Sequence, residues 1–165
     1  MNVLLFRHAQ KGVIPFDDPH LTPGGFAQAE AIAKAVQKNM IPKPTDIWVS
    51  EKIRTTQTMQ DVARDHQIKP LQKTELNLRA DKETQQMFRD RVHDLIQQLD
   101  ATSEKSSTKT IYLCTHYDWV EEAMSLITSD KDLNTYEFAH WGPAQFVQFK
   151  VEDGLWKFVK KGTCT

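Results

Sequence analysis

The stretch Val3-Leu4-Leu5-Phe6-Arg7-His8-Ala9 opens the chain and decides its fold. Its four apolar residues have the length and composition of a buried strand, and Arg7 and His8 follow where that strand ends. In an open α/β sheet, ligands bind in the crevice beyond the carboxyl ends of the strands. An arginine holds a phosphoryl group with two hydrogen bonds, and a neutral histidine attacks phosphorus. On its own, the dipeptide is explained equally well by a surface ion pair beside a packed histidine.

The composition is typical of one globular domain, which we predict to span residues 1–165. The 22 acidic and 21 basic residues nearly cancel, so the charge does not indicate a nucleic acid or a membrane as partner. Two cysteines make no disulfide framework and favour a reducing compartment. Because the first apolar run is too short for a signal peptide, we expect a cytoplasmic protein.

Strand and helix signals alternate along the first half of the chain. Thr22 and Pro23 are typical of an N-cap and a first helical residue, and apolar side chains then recur every three or four residues as far as Met40. Residues 46–49 are apolar enough for a second strand, and Ser50 is placed to cap the next helix. Residues 70–78 follow as a weaker extended stretch.

The second half begins with a helical pattern over residues 82–100 and a polar loop over 101–109. Residues 110–115 form another buried strand, and Asp118 is placed to cap a fourth helix together with Glu121. Residues 144–151 alternate in polarity, and residues 155–159 return after a turn as a hairpin partner. We therefore predict a three-layer αβα sandwich, with a mostly parallel sheet, helices on both faces and a C-terminal β-hairpin.

Two further segments bring chemistry to the edge of the sheet that carries Arg7 and His8. Arg54 lies in the first turn of the helix after the second strand, and His116 follows the strand over residues 110–115. Two arginines and two histidines then surround one point beside helix N-termini, whose free N–H groups favour an anion. The sequence therefore predicts a phosphate-binding pocket. We expect a neutral His8 and a protonated or hydrogen-bond-donating His116, so that the two histidines titrate apart.

The chain resembles the histidine phosphatase superfamily, also called phosphoglycerate mutase-like. The motifs that carry the resemblance are Arg7-His8-Ala9, Leu21-Thr22-Pro23-Gly24-Gly25, Ser50 with Arg54 and Thr58, and Thr115-His116. In size the chain is similar to the short bacterial phosphohistidine phosphatases. The resemblance implies that His8 is the catalytic nucleophile that becomes phosphorylated, and that Arg7, Arg54 and the second catalytic histidine, His116, bind phosphoryl oxygens. It implies no metal and no organic cofactor.

One position departs from the family pattern. Many members carry a glutamate that protonates the leaving group in a Leu-x-Glu-Arg context, and this chain has Leu78 there, in Leu76-Asn77-Leu78-Arg79. Asp118 is a possible replacement donor, although an N-cap carboxylate normally accepts from backbone N–H groups instead. The other acidic candidates are ordinary loop or helix-start residues: Asp17, Asp18, Asp81 and Glu83.

Most of the other potentially reactive residues are better explained by structural roles than by catalysis or metal binding. Cys114 would need an arginine six residues later for a cysteine phosphatase, and residue 120 is a valine. The remaining histidines stand at no metal-ligand spacing: His20, His66, His93 and His140. Phe138 and Trp141 are candidates either for the pocket mouth or for ordinary packing. Lys11 is a weak candidate for substrate contact.

The predicted function is hydrolysis of a phosphomonoester or phosphoramidate through a phosphohistidine at His8. The substrate is a phosphorylated protein or a small phosphorylated metabolite. One alternative is a phosphotransferase of the phosphoglycerate mutase type, which needs the missing acid and a larger lid. Another is a phosphoprotein-binding module with little turnover, which Leu78 favours and the intact pair of His8 and His116 disfavours.

Overall fold

A computed structural model describes residues 1–165 and arranges them around a six-stranded sheet. The strands are β1 (Asn2–Arg7), β2 (Asp46–Val49), β3 (Leu71–Gln72), β4 (Thr110–Thr115), β5 (Phe146–Glu152) and β6 (Leu155–Gly162). Their order is β3-β2-β4-β1-β5-β6. The first four strands in this order are parallel, and β5 runs antiparallel to β1 and pairs with β6 as the hairpin.

Helices cover both faces of this sheet. They are α1 (Pro23–Gln37), α2 (Ile53–Asp65), α3 (Gln85–Lys105) and α4 (Tyr117–Leu126). One apolar cluster joins α1 and α2 to the sheet, and a second joins α3 and α4 to it. The three-layer αβα prediction is confirmed. No helix combines the length and the apolar character that a membrane crossing requires.

Strand β1 is apolar at every position from Val3 to Phe6 because both of its faces are buried. Val3 and Leu5 belong to the cluster under α3 and α4, whereas Leu4 and Phe6 belong to the cluster under α1 and α2. All four side chains are almost completely buried, as in strands covered on both faces. β1 is therefore held in the middle of the core, and the residues after it have a fixed position.

The start of α1 agrees with the sequence, and its end does not. Thr22 Oγ1 accepts a hydrogen bond from the Gly25 N–H at 3.0 Å, and Pro23 is the first helical residue. A Cβ at Gly25 would lie 2.1 Å from the Gln10 carbonyl oxygen, so only glycine lets the chain after β1 pass this close. The helix ends at Gln37, and Met40 lies beyond it, half exposed. The predicted apolar stripe, which includes Met40, is therefore about one turn longer than the helix.

The predicted cap of α2 is wrong. Lys52 occupies the N-cap position and makes no side-chain cap, while Ser50 lies two residues earlier. Ser50 is fully buried, and its hydroxyl contacts Thr55 Oγ1 at 3.1 Å and His116 Nε2 at 2.9 Å. The same hydroxyl accepts from the Lys52 N–H at 3.2 Å, so Ser50 links the start of α2 to His116 without being the N-cap residue.

Three boundaries in the second half also differ from the prediction. Residues 70–78 form only the two-residue strand β3 and a 3₁₀ turn (Thr74–Leu76). Helix α3 begins after Thr84, whose hydroxyl accepts from the Met87 N–H, and it continues through Lys105 into the predicted loop. Helix α4 has His116 as its N-cap residue and Asp118 inside its first turn, so the predicted capping box is wrong.

Candidate active site

The carboxyl ends of β1, β2 and β4 lie side by side and set the position of the candidate site. Arg7 pairs with Thr115 across β1 and β4, and Val49 pairs with Cys114 across β2 and β4. His8 and His116 follow directly, and Arg54 is delivered by the first turn of α2. The structure therefore brings together the residues that the sequence placed on one sheet edge.

His8 is held in the tautomer that a nucleophile needs. Its Nδ1 lies 2.7 Å from the Ala9 carbonyl oxygen, and because that oxygen only accepts, Nδ1 carries the hydrogen. Its Nε2 accepts a long hydrogen bond, 3.3 Å, from Arg54 Nε. The lone pair on Nε2 therefore points toward the guanidinium that would also hold an anion.

His116 has the opposite tautomer. Its Nδ1 accepts from Arg54 Nη2 at 3.3 Å, and so Nε2 carries the hydrogen and donates to Ser50 Oγ at 2.9 Å. The two imidazole centroids are 5.3 Å apart, and one guanidinium bridges both rings. His116 donates to Ser50 rather than toward the space for an anion, and both of its ring nitrogens have protein partners.

Burial lowers the pKa of both histidines. The pKa of His8 falls to about 4, through burial first and then the positive charges of Arg54, Arg7 and Lys11, while the Ala9 hydrogen bond opposes the change. The pKa of His116 falls to about 2, through burial first and then the charges of its neighbours. Both rings are therefore neutral at pH 7, which suits the nucleophile and differs from the protonated state considered for His116.

These pKa values predict acid-sensitive stability. Unfolded His8 binds a proton near pH 6.5 and folded His8 only near pH 4, so stability is complete above pH 6.5 and is lost between those values. At pH 5 the loss from His8 is about 2 kcal/mol. Urea unfolding at pH 7 and pH 5 measures it, and in His8→Asn the difference between the two pH values should shrink by that amount. An equal difference in both proteins would contradict the lowered pKa.

Arg7 is positioned by the chain that leads into β5. Its Nη1 donates to the Trp141 carbonyl oxygen at 2.6 Å, and its guanidinium lies 5.3 Å from the centroid of the Tyr117 ring. Its Nε is buried and has no hydrogen-bond partner within the protein. A buried donor of this kind is costly unless a ligand accepts from it, so Arg7 fits an anion. Phe138 and Trp141 are buried and support this segment by packing.

Two residues support the site in ways that the sequence did not show. Thr58 Oγ1 donates to the Arg54 carbonyl at 2.7 Å and accepts from the Ala9 N–H at 2.9 Å, which ties α2 to the chain beside His8. Asp18 accepts from the Ile53 N–H at 3.1 Å, and its carboxylate lies 3.9 Å from Arg54 Nη1. Thr58 is already part of the sequence motif with Ser50 and Arg54, and the structure adds its contacts, whereas Asp18 lies in a loop where no sequence pattern indicates its partner.

The acidic candidates have distinct environments. Glu83 pairs with Arg91 at 2.7 Å, and that hydrogen bond lowers the pKa of Glu83, so its proton is harder to keep. Asp118 Oδ2 accepts from the Arg79 N–H at 2.9 Å, and Oδ1 is buried without a hydrogen-bond partner. Asp17 and Asp81 are exposed. Among the five carboxyl groups, Asp118 alone combines a buried oxygen with a position in the first turn after His116.

The remaining reactive residues stay outside this arrangement. Cys114 is completely buried, and burial raises the pKa of its thiol, so it is a core residue. Lys11 is exposed but close enough for its charge to lower the pKa of His8. The other four histidines lie at the surface of loops or helices, and no group of three or more His, Cys, Asp or Glu side chains is placed to hold a metal ion.

A cavity of about 720 Å³ is lined by Lys52, two residues before Arg54, and by Leu78, Arg79 and Lys82. The charge of Lys52 is also close enough to His116 to contribute to its lowered pKa. None of Arg7, His8, Arg54 and His116 lines the cavity. The leucine at the position of the family's acid therefore faces a cavity that Lys52 connects to the start of α2.

A family model matches the part of the chain that supplies three of the four residues at this sheet edge. Residues 3–79 match the model of the histidine phosphatase superfamily (branch 1), a stretch that includes Arg7, His8 and Arg54 but not His116. No curated protein matches the chain by sequence.

Solved structures match over nearly the whole chain. The protein histidine phosphatase SixA complexed with tungstate is 15% identical with a TM-score of 0.76, covering 99% of this chain and 97% of that one. A candidate α-ribazole-5'-P phosphatase from Escherichia coli is 16% identical with a TM-score of 0.77, covering 100% and 97%. A variant phosphoserine phosphatase from Entamoeba histolytica in complex with phosphoserine is 16% identical with a TM-score of 0.72, covering 99% and 98%. At these identities the likeness establishes a shared fold.

Proposed function

Residues 3–79 match the histidine phosphatase superfamily, and from this premise we propose that the chain is a member that hydrolyses phosphorylated substrates through a phosphohistidine at His8. The observation that carries the proposal is the pair of tautomers around Arg54, which leaves the Nε2 lone pair of a neutral His8 beside a buried guanidinium. Protein-bound phosphohistidine is the proposed substrate, and activated aryl phosphates serve as substitutes in the test tube.

In the first half of the reaction, His8 Nε2 forms a bond to phosphorus as the bond to the leaving group breaks, and the leaving group departs with that electron pair. His8 Nδ1 keeps its hydrogen and continues to donate it to the Ala9 carbonyl oxygen, which stabilises the positive charge that the ring acquires. Arg54 turns its N–H groups from the two rings to the equatorial oxygens of the phosphoryl group. Its bonds to the rings, at 3.3 Å, are long enough to be exchanged readily.

In the second half, water attacks phosphorus, the P–N bond breaks, and His8 Nε2 recovers its lone pair as phosphate leaves. Arg7 and Arg54 hold the phosphoryl oxygens in both halves, and His116 becomes a further donor when its Nδ1, released by Arg54, takes up a proton beside the anion. Fixed cations and N–H donors supply most of the stabilisation that phosphoryl transfer needs, because the charge spreads over the equatorial oxygens. This chemistry needs no metal ion, so phosphate release in the presence of a chelator should equal that without it.

Leu78 argues for a particular class of substrate. When the P–O bond of an alcohol phosphate breaks, the alcohol departs as a strongly basic alkoxide unless an acid protonates its oxygen, and a leucine transfers no proton. Phosphohistidine is easier to cleave because its imidazole, with a pKa of about 6.5, takes a proton from water. We assign the remaining proton donation to Asp118, whose Oδ1 is buried without a hydrogen-bond partner.

This assignment predicts the order of three slopes. Across aryl phosphates of increasing leaving-group pKa, kcat/KM should fall in the wild type, more steeply in Asp118→Asn and least steeply in Leu78→Glu. For the poorest leaving group, Asp118→Asn should cost about 10²-fold, the lower end of the range for general acids. Asp17→Asn, an exposed carboxyl, is the matched control.

A flat wild-type dependence, or fast hydrolysis of 3-phosphoglycerate, would contradict the role given to Leu78. An Asp118→Asn slope equal to that of the wild type would remove Asp118 as the donor. Activity that disappears with a chelator and returns with a divalent ion would indicate a metallohydrolase. Tight binding of a phosphoprotein without phosphate release would identify a binding module instead.

A further inference from the structure

Three large apolar side chains project into solvent within four residues of one loop. Val13 is 76% exposed, Ile14 is 78% exposed and Phe16 is 96% exposed. We call these three residues the loop tip. The other exposed large apolar residues occur singly along the chain: Met40, Leu71, Met87, Tyr136 and Val159. Scattered apolar residues are normal at a surface, whereas a cluster marks an interaction site.

The loop that carries the tip is fastened to the candidate active site. The Lys52 ammonium donates to the Asp17 carbonyl at 3.1 Å, and the Ile53 N–H donates to the Asp18 carboxylate at 3.1 Å. At its base, Gly12 N–H donates to the His20 carbonyl at 2.8 Å. Phe16 therefore stands two residues from Asp18, the loop residue whose carboxylate lies beside Arg54.

The shape of the tip selects a macromolecule as its partner. Small molecules bind in concave sites, and the tip residues are strongly exposed and do not line the cavity beside Leu78. Three such side chains expose on the order of 400 Å², a patch of the size found at functional surfaces. A stable dimer needs about 800 Å² from each partner, so the tip fits a transient protein contact rather than a second copy of the chain.

Charge favours a protein over a lipid surface. Residues 10–20 contain one lysine and two aspartates, and the chain as a whole has a net charge of −1. Loops and helices that insert into membranes are flanked by lysine and arginine, which anionic headgroups attract. The aspartates beside Phe16 oppose that mode of binding.

We propose that the loop tip docks an apolar segment of the phosphoprotein whose phosphoryl group enters the site. The inference rests on the proposed function and deepens it, because it specifies the apolar segment that a phosphoprotein substrate presents beside its phosphohistidine. Docking beside the site contributes to the binding of the protein and leaves the chemical step unchanged.

Two synthetic peptides of equal length test the proposal. Each carries one phosphohistidine, flanked by leucine and valine in one peptide and by serine and glycine in the other, and phosphoimidazole is the small probe. In the wild type, kcat/KM for the apolar peptide should exceed that for the polar peptide by about tenfold, through KM. The double variant Ile14→Ser/Phe16→Ser should lose this preference and keep its rate on phosphoimidazole. Met40→Ser, a half-exposed apolar residue after α1, should behave as the wild type.

An equal rate on both peptides in the wild type, or a preference that survives in the double variant, would overturn the docking proposal. A wild type that sediments as a dimer, with a monomeric double variant, would assign the tip to a second copy of the chain and overturn the docking proposal. A wild type that floats with phosphatidylcholine and phosphatidylglycerol vesicles, with a double variant that does not, would assign the tip to a membrane and also overturn the proposal. A wild type that cleaves neither peptide nor phosphoimidazole would overturn the proposed function itself, a result distinct from the others.

Discussion

Replacing His8 with asparagine is expected to reduce phosphatase activity by at least ~10⁴-fold, because the reaction loses the atom that attacks phosphorus. Asparagine is similar in polarity, and the fold should persist because His8 lies beyond the strand whose apolar residues hold the core. The measurement is phosphate release from 4-nitrophenyl phosphate and from a phosphohistidine peptide, with circular dichroism to confirm folding.

The matched control for this substitution is His93→Asn. His93 is an exposed histidine on α3, outside the site, so its replacement should leave the rate unchanged. Hydrolysis that persists in His8→Asn at nearly the wild-type rate would mean that water attacks the substrate directly. The covalent mechanism would then be wrong, although Arg7, Arg54 and His116 would still form an anion site.

The second large effect is expected for Arg54. Arg54→Ala should weaken transition-state binding by about 2–4 kcal/mol, as the loss of a charged oxyanion donor does. Vanadate, which resembles five-coordinate phosphorus, should bind more weakly to Arg54→Ala. The pKa of His8 should rise toward its ordinary value, because the Arg54 charge is one of the causes that lower it.

Arg64→Ala is the control, since Arg64 is exposed on the last turn of the same helix and pairs only with Asp61 and Asp65. Arg54→Lys separates charge from geometry: a lysine keeps the charge but contacts one ring or one oxygen at a time. Arg54→Ala with full activity and unchanged vanadate affinity would show that the guanidinium does not hold the phosphoryl group. The mechanism would then need another cation.

The sequence was sufficient for the parts of the fold that depend on local pattern. The unbroken apolar run of β1 requires burial on both faces, and Thr22 with Pro23 requires a helix start, so both were predicted correctly. The convergence of Arg7, His8, Arg54 and His116 followed from parallel strands ending at one edge. The topology of the sheet alone therefore determines where these four residues lie.

The sequence does not indicate which partner a polar side chain takes where several hydrogen bonds compete. Ser50 and Asp118 are both good capping residues, but Ser50 bonds to His116 and Asp118 bonds to the Arg79 N–H, each across a long sequence separation. The same holds for Asp18, which reaches α2 from a loop. In each case the residue type indicated a hydrogen bond, and only the packed structure determined its partner.

The covalent role of His8 is tested most directly by trapping the intermediate. Rapid acid-free quenching of the wild type with ³²P-labelled substrate should leave one phosphoryl group on the protein, stable in base and labile in acid, on the peptide that contains His8. His8→Asn should carry none. A label that is stable in acid, that lies on another peptide, or that persists in His8→Asn would contradict the account.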